Sequence, residues 1–365
     1  MTLPSQPYIF PWPTLQAMVG GTSALDLPRL TLHSLQEAEG FLERYGFDWS
    51  LEQERVDIES IRQEALAFMH NELLVDVDLQ VPAALSEEGD VRRLLLLASN
   101  AEGEQQQWAC ALLRVMHAFT HARSALDDWF GEAIRMQVLD RFAPSLSDAD
   151  GTLHLGTGND SIPLHTFSIK HRKSVPSVVM KLLHKVENVA TDIFDRIGVR
   201  IVTQSRFDAL LVVRFLRRSN TVAFANIKAS RSRNTLVDLD WLKSALNTVD
   251  TLIAQGDLES DKRREWLREA CQDSPFPSSR GSNPHSSREY RALQFTCRQL
   301  IRVPGERMGQ PGQTLRFFFP YEVQVLDRAS FEATRSGRAS HTDYKRRQRA
   351  TVRRRILGPA ICPDT

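Results

Sequence analysis

Leu315-Arg316-Phe317-Phe318-Phe319-Pro320-Tyr321-Glu322-Val323-Gln324-Val325-Leu326 reads as a β-strand, and its reading decides the fold. Alternation puts Glu322 and Gln324 on one face and Val323 and Val325 on the other. A glutamate in such a strand is unexpected unless its face lines a cleft. A second strand is predicted over Tyr290–Val303, joined to the first by the turn-rich PGERMGQPGQ at 304–313. Two strands adjacent in sequence, set among helices, exclude a purely parallel sheet and predict a mixed α+β one.

Upstream, the spacing predicts helices over 174–195, 207–217, 236–253 and 262–270, with short strands at Val199–Thr203 and Thr221–Ile227. The stretch 272–288, QDSPFPSSRGSNPHSSR, reads as a Ser/Pro/Gly loop. Before it all lies a helical region. Ser34 and Glu37 form a capping-box pattern, 53–73 and 90–99 read as helices, and 107–130 has the best apolar face. Pro144–Asp160, rich in Ser, Asp and Gly, reads as a linker. The expected organisation is a helical domain over 1–150 and a catalytic domain over 151–365. The latter carries an insertion at 230–287 and a basic C-terminal helix at 340–357.

Three more segments carry chemistry. His171-Arg172-Lys173-Ser174-Val175-Pro176-Ser177-Val178-Val179-Met180-Lys181 places lysines and a serine around a helix start, where free N–H groups and point charges can cradle a phosphate. Read alone, it is more readily a solvated basic loop. Asp195 sits just before the strand that contains Arg200, and that arginine needs a phosphate or an acid as partner. Tyr290 opens a strand after a loop, where an aromatic ring either stacks on a base or simply packs. Asp195 and Glu322, on neighbouring strands, would supply the one or two carboxylates that magnesium takes alongside substrate phosphates. Cations, a metal and a group orienting a hydroxyl together suit phosphoryl or pyrophosphoryl transfer.

In this order the segments resemble the synthetase domain of the RelA/SpoT family of (p)ppGpp synthetases. Lys173, Ser177 and Lys181 match K-x-x-x-S-x-x-x-K, and Asp195, Gly198 and Arg200 match D-x-x-G-x-R. Arg288 to Gln294 is similar to N-G-Y-R-S-I-H, retaining Tyr290 and Arg291, with Leu293 in place of the isoleucine. Glu322 to Asp327 is similar to E-V-Q-I-R-T, and His341, Tyr344 and Lys345 match H-x-x-Y-K. The resemblance covers about 165–350 and implies a nucleotidyltransferase-like mixed sheet flanked by helices. It implies that Lys173, Ser177, Lys181 and Arg200 hold the phosphates of the donor ATP, and that Asp195 and Glu322 bind Mg2+. It further implies that Tyr290, Gln324 and His341 receive the acceptor, GTP or GDP in the family, and that Glu322 binds metal or activates the acceptor's 3′-hydroxyl. Here the motif's N-G is Arg288-Glu289, its closing histidine is Gln294, and the last arginine and threonine are Leu326 and Asp327. The resemblance implies that several of these departures face the acceptor, which leaves another nucleotide open as acceptor.

Bulk composition agrees with a folded, soluble chain. The 42% hydrophobic content allows a core, and a net charge of +1 excludes binding of nucleic acid through overall charge. Four scattered cysteines give no C-x-x-C pair, so neither a zinc site nor a disulfide framework is expected. No apolar run reaches membrane length, and the proline-broken N-terminus lacks a signal-peptide pattern; a reducing cytoplasmic setting is expected. His117, His121, Asp127 and Asp128 lie on the best helix but form no His-Asp dipeptide and read as packing and capping groups. From Arg335 to Arg355 nine basic residues face Asp343 alone, a net +8. Such a helix would suit a tRNA backbone, or the acidic stretch at 37–60. Toxin-type pyrophosphorylation of a tRNA 3′ end, and a non-catalytic nucleotide- or RNA-binding domain, therefore stand as alternatives to alarmone synthesis.

Overall fold

The computed structural model describes residues 30–123, 125–170, 174–184, 197–277, 290–335 and 341–362. The chain divides into two compact units that interleave along the sequence. The helical unit comprises 1–124, 174–192 and 346–365, and the sheet unit comprises 125–173 and 193–345. The division thus crosses the chain four times rather than once near 150.

In the helical unit, α1 (Leu35–Tyr45) starts where the Ser34 side chain accepts a hydrogen bond from Glu37 N at 3.1 Å. The Glu37 carboxylate reaches back to His33 N at 2.8 Å, one residue before the cap, so the capping box closes with a one-residue offset. α1 ends at Gly46, whose φ of 112° suits a residue without Cβ. Next come α2 (Glu52–Phe68), which runs on into a π turn over Met69–Leu73, α3 (Ala83–Ser86), α4 (Val91–Asn100) and α5 (Gly103–Ala122). The single helix expected over 107–130 is two: α5 stops as Arg123 turns extended, and α6 (Ala125–Phe142) belongs to the sheet unit. α7 (Val175–His184), which packs on α5, and most of α12 (His341–Ile361) complete the helical unit.

The sheet unit carries seven strands in the order β1-β2-β3-β4-β7-β6-β5. They are β1 (Leu146–Ala149), β2 (Thr152–Leu155), β3 (Ile162–Lys170), β4 (Gly198–Thr203), β5 (Arg233–Asn234), β6 (Leu293–Pro304) and β7 (Thr314–Asp327). β4 and β7 are parallel and every other pair is antiparallel, which makes the sheet mixed and the unit α+β. α8 (Arg206–Arg218) follows β4, α9 (Leu239–Gln255) and α10 (Arg263–Gln272) lie between β5 and β6, and α11 (Arg328–Arg335) follows β7. The expected linker at 144–160 is instead the β1–β2 hairpin, turned at Asp150-Gly151 with both φ positive. The expected strand at 221–227 is a short 3-10 turn over Phe224–Asn226, with one bridge from Ile227 to Cys297. β3 was not expected: its residues alternate weakly, and its place follows from pairing with β4.

The register sorts side chains by period two. Val199 and Ile201 on β4, Val323 and Val325 on β7, and Phe295 and Cys297 on β6 share one face, covered by Val212 and Leu216 of α8 and by Ile134 and Val138 of α6. That burial is what holds the sheet together, at roughly 25 cal/mol for each Å² of apolar surface removed from water. The other face carries Arg200, Glu322, Gln324 and Gln294, with Val202 and Leu326 buried at one end of it. Among the described residues no helix is long and apolar enough to cross a membrane.

Candidate active site on the polar face of the sheet

Four adjacent strands bring polar side chains to one patch. β3 contributes Ser168 and Lys170, β4 Gly198 and Arg200, β7 Glu322 and Gln324, and β6 Gln294 and Thr296. Lys170 sits opposite Gly198, and its stem lies along that glycine, where a Cβ would be in ordinary contact with the lysine Cδ at 3.5 Å.

Gln324 is the hub of the network. Its Oε1 accepts hydrogen bonds from Lys170 Nζ at 3.1 Å, from Arg200 Nη2 at 3.1 Å and from Arg200 Nε at 3.4 Å. Its amide nitrogen donates to Glu322 Oε2 at 2.5 Å. The other carboxylate oxygen, Oε1, accepts from the Gln294 amide. Glu322 and Gln324 are only 9% and 8% exposed, so an unpartnered carboxylate here would be costly; two charge-assisted amide bonds offset that cost. Within this network two cations stand beside one acid. The patch therefore favours an anionic ligand while keeping a carboxylate within reach of it.

Tyr290 is partly buried, and its surroundings push the phenol up to about 12. Desolvation is the main cause and the Glu322 carboxylate adds to it, against Arg200 and Arg233. The ring is thus an electrostatic neighbour of the network. Phe331 of α11 flanks Arg200, its ring centre 5.8 Å from the guanidinium carbon. Asp327, at the motif's threonine position, is buried and accepts from Ser330 N at 3.3 Å at the start of α11.

Of the residues named from sequence, Arg200, Tyr290, Glu322 and Gln324 come together here. Ser177 and Lys181 lie on α7 in the helical unit, where Ser177 Oγ is 3.0 Å from Ser174 Oγ. Lys173 and Asp195 fall outside the described residues, as does the side chain of His341. Lys170 and Gln294 were missed as contributors. Lys170 closes a strand that pattern alone does not reveal, and Gln294 stands out in the sequence only as a departure from the histidine of the resembled motif. In fact an amide at that position donates to Glu322.

Mg2+ fits this chemistry on restricted terms. Among the described residues no cluster of three or more His, Cys, Asp or Glu could cage a metal, whereas a magnesium held largely by phosphate oxygens needs one or two carboxylates. Glu322 is such a group.

Three arginines of the basic run at the C-terminus are engaged within the helical unit. Arg353 bonds to Asp76 and to Leu73 O at 3.0 Å, and Arg349 meets Asp76 at 3.3 Å. Arg355 donates to Leu183 O at 2.8 Å. Compared with known protein families and with curated proteins, the chain matches no family model and no curated relative.

Proposed function

We propose that this chain moves the β,γ-pyrophosphate of ATP to the 3′-hydroxyl of a nucleotide, as a divergent RelA/SpoT-type synthetase built on a nucleotidyltransferase-like sheet in a cytoplasmic setting. One observation carries the reading: a buried glutamate tied through Gln324 to Lys170 and Arg200 across adjacent strands β3, β4 and β7.

In this reading Lys170 and Arg200 hold the negative charge that shifts within the triphosphate as the bond to the β-phosphorus breaks. Tyr290 offers its ring to the acceptor base. Glu322 accepts the proton of the attacking hydroxyl; that oxygen bonds to the β-phosphorus and AMP leaves with the α–β bridging oxygen. Gln324 and Gln294 fix the carboxylate so that a lone pair points at the hydroxyl rather than at solvent. Bound Mg2+ would neutralise phosphate charge; Glu322 would hold it, and Asp195 is the second carboxylate the resemblance implies. A free nucleotide is favoured as acceptor over a tRNA 3′ end because Arg349, Arg353 and Arg355 of the basic helix are already engaged within their unit.

The test is incubation of the full chain with γ-³²P-ATP, Mg2+ and either mixed nucleotides or bulk tRNA. Label is expected in a nucleotide product. Glu322→Gln is expected to lower transfer by about 10²–10⁴-fold with an unchanged circular dichroism spectrum. Label only in tRNA would move the acceptor to RNA. Full transfer by Glu322→Gln would remove the glutamate's role, and no label in either pool would leave a binding domain.

A further inference from the structure

Behind the sheet, on the face away from Glu322, lies a cavity of about 750 Å³ within the sheet unit. α8 presents Phe207, Leu211, Arg214, Phe215 and Arg218 to it, at helical spacing. Ala209, Val212 and Leu216 of the same helix are buried in the sheet core, whereas Leu211 and Phe215 touch that core with only part of their surface and turn the rest to the cavity. The opposing wall comes from the insertion expected at 230–287: Leu246 of α9, and Arg263, Arg264 and Leu267 of α10. The wall therefore exists because of the segment in which this chain departs most from the family it resembles.

The lining has an apolar floor and a cationic rim. Four arginines face it against two aspartates, Asp160 and Asp261. Arg264 and Arg268 share one carboxylate, the fully buried Asp208, at 3.4 and 2.8 Å, and Arg263 pairs with Asp250 at 2.7 Å, which leaves an excess of one positive charge. Arg264 also donates to Ser161 O at 3.0 Å, yet its buried Nε has no partner among the described residues. Arg214 makes no ion pair among the described residues, and Arg218 lies 3.8 Å from an Asp160 that is itself well exposed. Guanidinium forks from two elements suit phosphoryl oxygens, and Phe207, Leu211 and Phe215 suit a flat apolar body. The volume falls in the range of small-molecule sites, about 300–1,000 Å³.

We infer that this cavity binds a phosphorylated ligand with a flat apolar body, of nucleoside monophosphate size, at a site separate from the polar face of the sheet. The inference stands whether or not the chain transfers pyrophosphate.

Calorimetric titration of the full-length Arg200→Ala protein, in which the polar face is weakened, tests it with four probes: AMP, GMP, adenosine and inorganic phosphate. At least one nucleotide is expected to bind saturably, with adenosine and phosphate each at least about tenfold weaker. Adding Arg214→Ala and Arg218→Ala is expected to weaken nucleotide binding about tenfold or more, and Arg214→Lys alone to cause a smaller loss because it keeps charge without the fork. Unchanged affinity in the double arginine variant and in Arg214→Lys would overturn the site. So would the absence of saturable binding by both nucleotides, or affinity for adenosine equal to that for AMP.

Discussion

Gln294 illustrates how much a single side chain carries on this sheet. It stands opposite Gln324 in the β6–β7 register and donates its amide to Glu322. Gln294→Leu would leave one oxygen of a nearly buried carboxylate without a donor, a loss of about 1–3 kcal/mol. The expected outcome is a lower urea midpoint for the sheet unit and, on the proposed reaction, a fall in kcat larger than any change in KM, because the glutamate loses its orientation. A wild-type kcat would show that Gln324 alone positions the acid. His117 has the opposite character. Its imidazole is pushed down to about 4, mainly by burial and further by His121, and its Nδ1 lies 2.6 Å from the Tyr45 hydroxyl. The folded state therefore holds His117 neutral. The stability it contributes is complete above the unfolded pKa of about 6.5 and is lost as pH falls from there towards 4. Allowing for partial exposure, roughly 1–2 kcal/mol is expected to disappear across that window. Denaturant titrations at pH 7 and pH 4.5 measure it, and His117→Gln should flatten the difference.

At the scale of elements, α8 is the member with two jobs. One face completes the sheet core and the other lines the arginine-rimmed cavity. Its first turn is fixed by Ser205, which caps Asp208 N at 3.1 Å, and by the buried Asp208 carboxylate that ties α10 to α8 through Arg264 and Arg268. Removing that carboxylate would leave two guanidinium groups facing one another without a counter-charge. Asp208→Ala is expected to cost about 3–5 kcal/mol and to loosen α10 before the sheet itself. Faster hydrogen exchange confined to 260–272 would confirm this order. Uniform exchange across both the insertion and β4 would show instead that the pair stabilises the whole unit. The helix over 107–130 teaches the complementary lesson. Its apolar spacing is genuine, but spacing does not report that Arg123 becomes extended and that the chain then enters the other unit.

For the whole molecule, the interleaving of the two units sets what can be cut away. α7 and most of α12 belong with the N-terminal helices, although some 50 and 220 residues separate them from α5 in sequence. A chain ending at residue 340 would lose the buried Val352, Ile356 and Leu357 and leave Asp76 without its two arginines. Such a truncation is expected to abolish cooperative unfolding of the helical unit, read as loss of the thermal transition and rapid proteolysis within 35–122. A truncated chain that melts like the full one would mean that α12 is a dispensable appendage.

The sequence by itself determined the paired strands β6 and β7, the strand carrying Arg200, most helices, and the presence of Glu322 and Gln324 on one polar face. Each of these is a local pattern, a period of two or of three to four, that survives without knowledge of neighbours. Only the tertiary structure decided which strands lie side by side, and so which polar groups meet. Lys170 reaches Gln324, 154 residues away, because β4 pairs with both β3 and β7, and Gln294 reaches Glu322 because the β6–β7 register sets it opposite Gln324, one pleat along the same face. Register is a property of two strands and a core, and no single segment encodes it.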